Sequence, residues 1–290
     1  MHKIFLTFLI ILCGFVSSCS KKEAERCDVL VSIPPYLYFV ETLTGGELKA
    51  ISLVPEGANP HLYEPTPKQV HRAKQSKVWI RLSESFENKI GRSLLAQNKE
   101  LIIVNLANSR AISYIYEEKS SCSCGHSHES KDLHIWLSLR EAKIQAKLIA
   151  EALIQAFPDR KDLIQKNLLT LQDQFSQKDL SFAEKLLPYK NDSLLVSHPA
   201  FGYFCRDYDL NQISIETEGK DPLPQKLASI LELSKTTPIR TVFTQAQYNN
   251  KGAEMIAKQL QMKTHEIDPY SSDYLKNLEQ IVQDIVDPSI

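Results

Sequence analysis

Between Ser120 and Trp136 the chain reads SSCSCGHSHESKDLHIW, a stretch that holds three of its eight histidines and two of its six cysteines. Imidazole nitrogen and thiolate sulfur are the donors that suit zinc and the transition metals, whereas Ca²⁺ and Mg²⁺ want oxygen. The donors fall into two settings. Cys122, Cys124, His126 and His128 lie in a polar, Ser-rich tract, and His134 lies in the apolar, strand-like run Leu133-His134-Ile135-Trp136. Cys122 and Cys124 are one residue apart, which does not match the C-x-x-C spacing of zinc knuckles or redox motifs. A histidine alone is weak evidence, so the question is whether distant residues converge on His134.

Elements that could bring them together alternate along the chain. Asp28–Ile33 reads as a strand, Tyr36–Leu43 as a helix and Leu48–Val54 as a second strand. Thr66-Pro67 supplies an N-cap and first-turn pair for a helix running to about Gln75. Lys77–Leu82 and Leu101–Asn105 are strands flanking a helix over Phe86–Leu95, and Leu139–Phe157 is an amphipathic helix ended by Pro158. Asp159–Leu187 then carries Ile164, Leu168, Leu171, Phe175, Phe182 and Leu186 on one stripe with no internal Gly or Pro. It predicts a helix of about 43 Å, long enough to brace two lobes.

Past Pro188 the alternation resumes. Strands fall at Ser193–Ser197, Gln212–Ile215, Arg240–Thr244 and Lys263–Ile267, with helices near Pro224–Ser234, Lys251–Gln261 and Tyr274–Val286. Strands alternating with helices predict parallel βαβ units. The expected fold is α/β, with two lobes of parallel βαβ sheet joined by one long backbone helix. The lobes are 28–158, which includes a His/Cys loop at 117–131, and 189–290; the linking helix is 159–188.

In open α/β sheets, ligands collect outside the carboxyl ends of strands. His61 lies in the loop PEGANPHLYEP after a strand, His198 directly follows LLVS, and Asp268 directly follows THEI. His61 and His134 from one lobe can therefore face His198 and Asp268 from the other across a cleft. Three neutral imidazoles and a carboxylate suit Zn²⁺, with Mn²⁺ also possible. His71, among Lys, Arg and Gln, reads as solvated, and His265 as a packing or surface residue. Trp136 reads as core. Glu64 is either a partner that orients His61 or an ordinary surface carboxylate.

The combination Asn59-Pro60-His61 with Tyr63-Glu64-Pro65-Thr66-Pro67, Asp132-Leu133-His134-Ile135-Trp136-Leu137, Ser197-His198-Pro199-Ala200-Phe201 and Asp268-Pro269 resembles the solute-binding proteins of zinc and manganese ABC importers. This is the ZnuA/TroA type, cluster A-I, and the resemblance covers nearly the whole chain past its N-terminal segment. It implies metal held between two α/β lobes by His61, His134, His198 and Asp268, and a backbone helix that restricts hinge motion. A histidine at the third position tilts it toward zinc. It also implies a monomer whose partners are a membrane permease and its ATPase. The loop departs from the long His-rich loops of many such proteins. Cys122, Cys124, His126 and His128 are either an auxiliary collector of metal or incidental donors in a solvated loop.

The N-terminus agrees with export. Met1-His2-Lys3 precedes an apolar run from Ile4 to Val16, too short for a membrane span of about 20 residues. Val16-Ser17-Ser18-Cys19 resembles the bacterial lipobox, so residues 1–18 are read as a lipoprotein signal peptide, Cys19 as lipidated, and 19–27 as a tether. The expected location is extracytoplasmic, in the periplasm or at the cell surface, anchored through lipidated Cys19. The pairing of Cys27, Cys122, Cys124 and Cys205 is open. A net charge of −1 gives no electrostatic footprint for nucleic acid. No H-E-x-x-H occurs, and four protein ligands would close the site to the water that a zinc hydrolase needs. The reading is therefore non-enzymatic capture of Zn²⁺ for uptake. A metal-binding adhesin of the same fold is the alternative, and an extracytoplasmic zinc hydrolase a more distant one.

Overall fold

The computed structural model describes residues 26–118, 129–216 and 222–288. Its first half runs β1 (Val29–Val31), α1 (Pro35–Thr44), β2 (Ala50–Ser52), α2 (Pro67–Ala73), β3 (Val78–Arg81), α3 (Ser85–Gln97) and β4 (Ile102–Asn105). A short antiparallel ribbon, β5 (Tyr116–Glu118) with β6 (Glu129–Lys131), precedes α4 (Leu139–Ala156). The long helix α5 (Lys161–Leu186) leads to β7 (Ser193–Val196), α6 (Gly202–Asp207), β8 (Asn211–Ser214) and α7 (Pro224–Leu233). Then come β9 (Ile239–Gln245), α8 (Lys251–Leu260), β10 (Thr264–Ile267) and α9 (Tyr274–Val286).

The two halves repeat one topology. The first sheet has order β2-β1-β3-β4 and the second β10-β9-β7-β8, all strands parallel. Numbered within its own half, the second sheet is also 2-1-3-4. Each therefore has its switch point between its first and third strands, where chain connections diverge and leave a crevice at the carboxyl ends. The central strands are covered on both faces, which is why β1 and β7 are buried at every residue, β1 as Val-Leu-Val and β7 as Ser-Leu-Leu-Val.

Local chemistry sets several boundaries as the sequence predicts. Thr66 and Gln69 form a reciprocal capping box at the start of α2, with Pro67 in the first turn. Ser138 Oγ accepts from the amide of Glu141 at 3.1 Å and opens α4. Helix α5 has 26 residues, about 39 Å at the usual rise. It buries Ile164, Leu171, Phe175, Phe182 and Leu186, with Leu168 partly covered.

Helix α5 joins the halves physically. Asn167 Nδ2 donates to Leu43 O at 3.1 Å and Gln172 Nε2 to Lys143 O at 3.2 Å, tying it to α1 and α4. Phe175 lies between Phe39 of α1 and Tyr274 of α9, with ring centroids 5.6 and 5.9 Å away. Lys178 pairs with Glu279 of α9. One apolar core thus extends from the first sheet through α5 to α9, and a smaller one under α7 and α8 serves the second sheet alone.

Three local expectations need correction. Leu133–Trp136 is not a strand: Ile135–Leu137 form a single 3₁₀ turn with His134 at its N-cap. The His/Cys loop at 117–131 is not wholly irregular, because β5 and β6 pair at its two ends. A short helix, α6, fills the connection after His198. Residues 1–25, with Cys19, and the donors Cys122, Cys124, His126 and His128 lie outside the described residues.

Candidate metal centre

Three histidines from three different connections meet. His61 sits in a turn after β2, its amide accepted by Asn59 Oδ1 at 2.9 Å. His134 caps the 3₁₀ turn ahead of α4, and His198 follows β7. One ring nitrogen from each can be chosen so that all lie within 4.8 Å of one another. Ring centroids are separated by 5.7 Å (His61 and His134), 5.0 Å (His61 and His198) and 5.1 Å (His134 and His198). Among the described residues this is the one cluster of three or more such donors.

The nitrogens are oriented, not merely near. The Nε2 atoms of His134 and His198 are 3.3 Å apart. Tyr270 Oη lies 3.2 Å from His134 Nε2 and 3.4 Å from His61 Nε2, and 3.0 Å from Tyr248 Oη. All three Nε2 atoms therefore face a common point. Each Nδ1 faces a carboxylate: Asp132 Oδ1 at 2.7 Å from His134, Glu216 Oε1 at 2.5 Å from His198, and Glu84 Oε2 at 3.4 Å from His61. His198 also stacks on Tyr248, with centroids 4.1 Å apart and planes 6° apart. Its amide donates to Gln245 Oε1 at 2.5 Å.

Burial and charge divide the three. His134 and His198 are buried, while the His61 side chain is 34% exposed. Burial works against charge on His61, but hydrogen bonding to Glu84 and the charges of Glu84, Glu216 and Asp132 outweigh it and hold the imidazole above its ordinary range. Burial and the adjacent His134 and His61 rings drive His198 far below its ordinary range. A neutral imidazole is the form that binds a metal.

Asp268 follows β10 as expected, but it is not in the cluster. Its Oδ1 accepts from Gln247 Nε2 at 2.6 Å and from the Tyr270 amide at 2.8 Å, and burial pushes its carboxyl up. Glu64 does not orient His61; it is exposed and pairs with Lys89 at 2.7 Å, and Glu84 occupies the place facing His61. His71 is exposed on α2, and His265 packs at 6.3 Å on Phe243 and bonds Pro288 O at 3.1 Å. Trp136 is core, yet it also borders the site: its Nε1 donates to Pro269 O at 2.7 Å and its ring is 5.3 Å from His134. Cys27 and Cys205 are buried, unpaired thiols, and burial pushes Cys27 up to about 12.

Sequence reasoning assigned no role to Glu84, Asp132, Glu216, Tyr248 or Tyr270. Asp132 alone carried a signal, since an acidic residue two positions before a ligand can reach back to its ring.

Two parallel-sheet lobes, a long bracing helix and a triad of converging imidazoles define a metal-binding solute-binding protein of the ZnuA/TroA type. Residues 29–287 match the family described as the periplasmic zinc-uptake complex component A, and the chain belongs to that family. A putative metal-binding protein of Chlamydia muridarum is 30% identical over 283 residues, covering 97% of this chain and 99% of the relative. The zinc-binding lipoprotein AdcA of Streptococcus pneumoniae is 25% identical over 280 residues, covering 94% of this chain but 56% of AdcA. The crystal structure of ZnuA superposes with a TM-score of 0.79 at 30% identity, over 91% of this chain and 99% of that one. The family is a transport component, not an enzyme, and its periplasmic description puts the chain outside the cytoplasm. Among the described residues no helix is long and apolar enough to cross a membrane.

Proposed function

We propose that this protein captures Zn²⁺ between its two lobes and delivers it to the membrane permease of an ABC importer, whose ATPase drives uptake. The observation that carries this reading is the convergence of His61, His134 and His198 on one point. An all-nitrogen triad suits zinc better than manganese, which prefers more oxygen. Asp268 is proposed as the fourth donor through Oδ2, because Oδ1 is engaged by Gln247 and Tyr270. The protein acts as a monomer, held at the membrane by lipid on Cys19. Cys122, Cys124, His126 and His128 act as an auxiliary collector.

Titration of the purified protein with Zn²⁺ and Mn²⁺ against chelators tests the cargo. One tightly held Zn²⁺ per chain, not displaced by excess Mn²⁺, is expected; preference for Mn²⁺ would overturn the assignment. Deleting Cys122 to His128 tests the collector, and unchanged growth under zinc limitation would remove it.

A further inference from the structure

The metal site contains more than its nitrogens. Asp132 Oδ1 accepts from both the backbone amide of His134, at 2.9 Å, and its Nδ1, at 2.7 Å. A carboxylate offers only lone pairs, so the ring proton must sit on Nδ1 and the Nε2 lone pair must face the cluster. Asp132 is itself fixed: its amide donates to Ile115 O at 2.9 Å, and Tyr203 Oη donates to its carbonyl at 2.7 Å. The carboxylate is 4% exposed.

The second lobe repeats the device with different parts. Glu216 Oε1 lies 2.5 Å from His198 Nδ1, and the Glu216 amide donates to Ser197 O at 3.0 Å, holding acceptor and ring in register. With both Nδ1 atoms protonated, both Nε2 atoms direct lone pairs at each other across 3.3 Å. Opposed lone pairs at that separation repel unless a positive charge lies between them. Glu84 stands farther from His61, at 3.4 Å, and His61 is the exposed member.

Resting on the zinc-capture reading, we infer that Asp132 and Glu216 are positioning residues: each fixes the tautomer of one buried histidine, so that one lobe contributes His134 Nε2 and the other His198 Nε2 to a preformed two-point seat for the cation. A carboxylate behind a ligating imidazole also makes the ring a stronger donor. The third nitrogen, from His61, then joins these two from a more exposed loop.

The test uses the purified protein titrated with Zn²⁺ against a competing chelator. Asp132→Asn and Glu216→Gln keep size and shape but remove the charge and replace one carboxylate oxygen with an NH₂ donor, so the group facing Nδ1 no longer forces the ring proton onto it. Each is expected to weaken Zn²⁺ binding roughly 10- to 100-fold, the usual effect of losing such a partner. His134→Ala and His198→Ala run in parallel. If these lose zinc while both carboxylate variants bind like the parent, the positioning role fails and the zinc site stands. If the alanine variants also bind like the parent, the site itself fails. Long-range ¹H–¹⁵N correlation of the zinc-loaded parent gives a second readout that does not depend on any variant folding. Protonated Nδ1 and metal-bound Nε2 are expected for both rings; metal on Nδ1 of either would overturn the inference.

Discussion

The Nε2 atoms of His134 and His198 lie 3.3 Å apart although the residues are 64 positions apart in the chain. One belongs to the connection before α4 and the other to the end of β7, so the pair exists only when the two lobes are held together. That duty falls to α5 and the aromatic contacts around it. Site and brace are thus one design.

Metal loading should depend on pH with a definite sign. Zinc binds neutral imidazoles, so protons compete for the site. His61, held above its ordinary range despite burial, takes a proton at higher pH than His198, which stays neutral far lower. Zinc affinity is therefore expected to start falling above the ordinary histidine value of 6.5. Glu84→Gln should move that onset to lower pH. Affinity measured by chelator competition across pH checks this; an onset unmoved in Glu84→Gln would contradict it.

Bound zinc should stabilise the fold. A ligand that binds only the native state adds about 4 kcal/mol at a free concentration 1,000 times its Kd. Calorimetric melting with and without Zn²⁺ should show a marked rise in Tm that a chelator reverses. An unchanged Tm at saturating zinc would count against a site shared by two lobes.

Phe175→Ala should be costly. The ring is fully buried between Phe39 and Tyr274, and truncating such a core aromatic typically costs about 3 to 5 kcal/mol. Urea unfolding measures it. Because Phe175 touches both α1 and α9, zinc affinity should fall as well, and a loss below 1 kcal/mol would show that α5 is not the brace.

Much of this was legible in the sequence because periodicity and capping are local. The stripe on α5, the Thr66-Pro67 start of α2 and the whole of α9 follow from residues near one another in the chain. His61 and His198 were legible because each follows a strand of a parallel sheet, whose carboxyl end is exposed, whereas His134 stood out only as a donor in an apolar run that forms a 3₁₀ turn and not a strand. The 3₁₀ turn at Ile135–Leu137 was not, since a short apolar run has no period that separates turn from strand. Glu84 and Glu216 were also hidden. They reach His61 and His198 through space, from 23 and 18 positions away, with nothing in their neighbours to mark them.

Asp268→Ala separates the nitrogen triad from its proposed fourth donor. Zinc affinity is expected to fall, but less than on loss of either buried histidine, since Asp268 is held by Gln247 and the Tyr270 amide outside the cluster. Isothermal titration of the variant decides it. Affinity equal to the parent would remove Asp268 from the ligand set.

The most direct measurement is the zinc content of purified His134→Ala beside that of the parent, by elemental analysis after equilibration with equal free Zn²⁺. The parent is expected to carry one zinc per chain and the variant nearly none, with both folded by circular dichroism. Undiminished zinc in His134→Ala would contradict the site that the three histidines define.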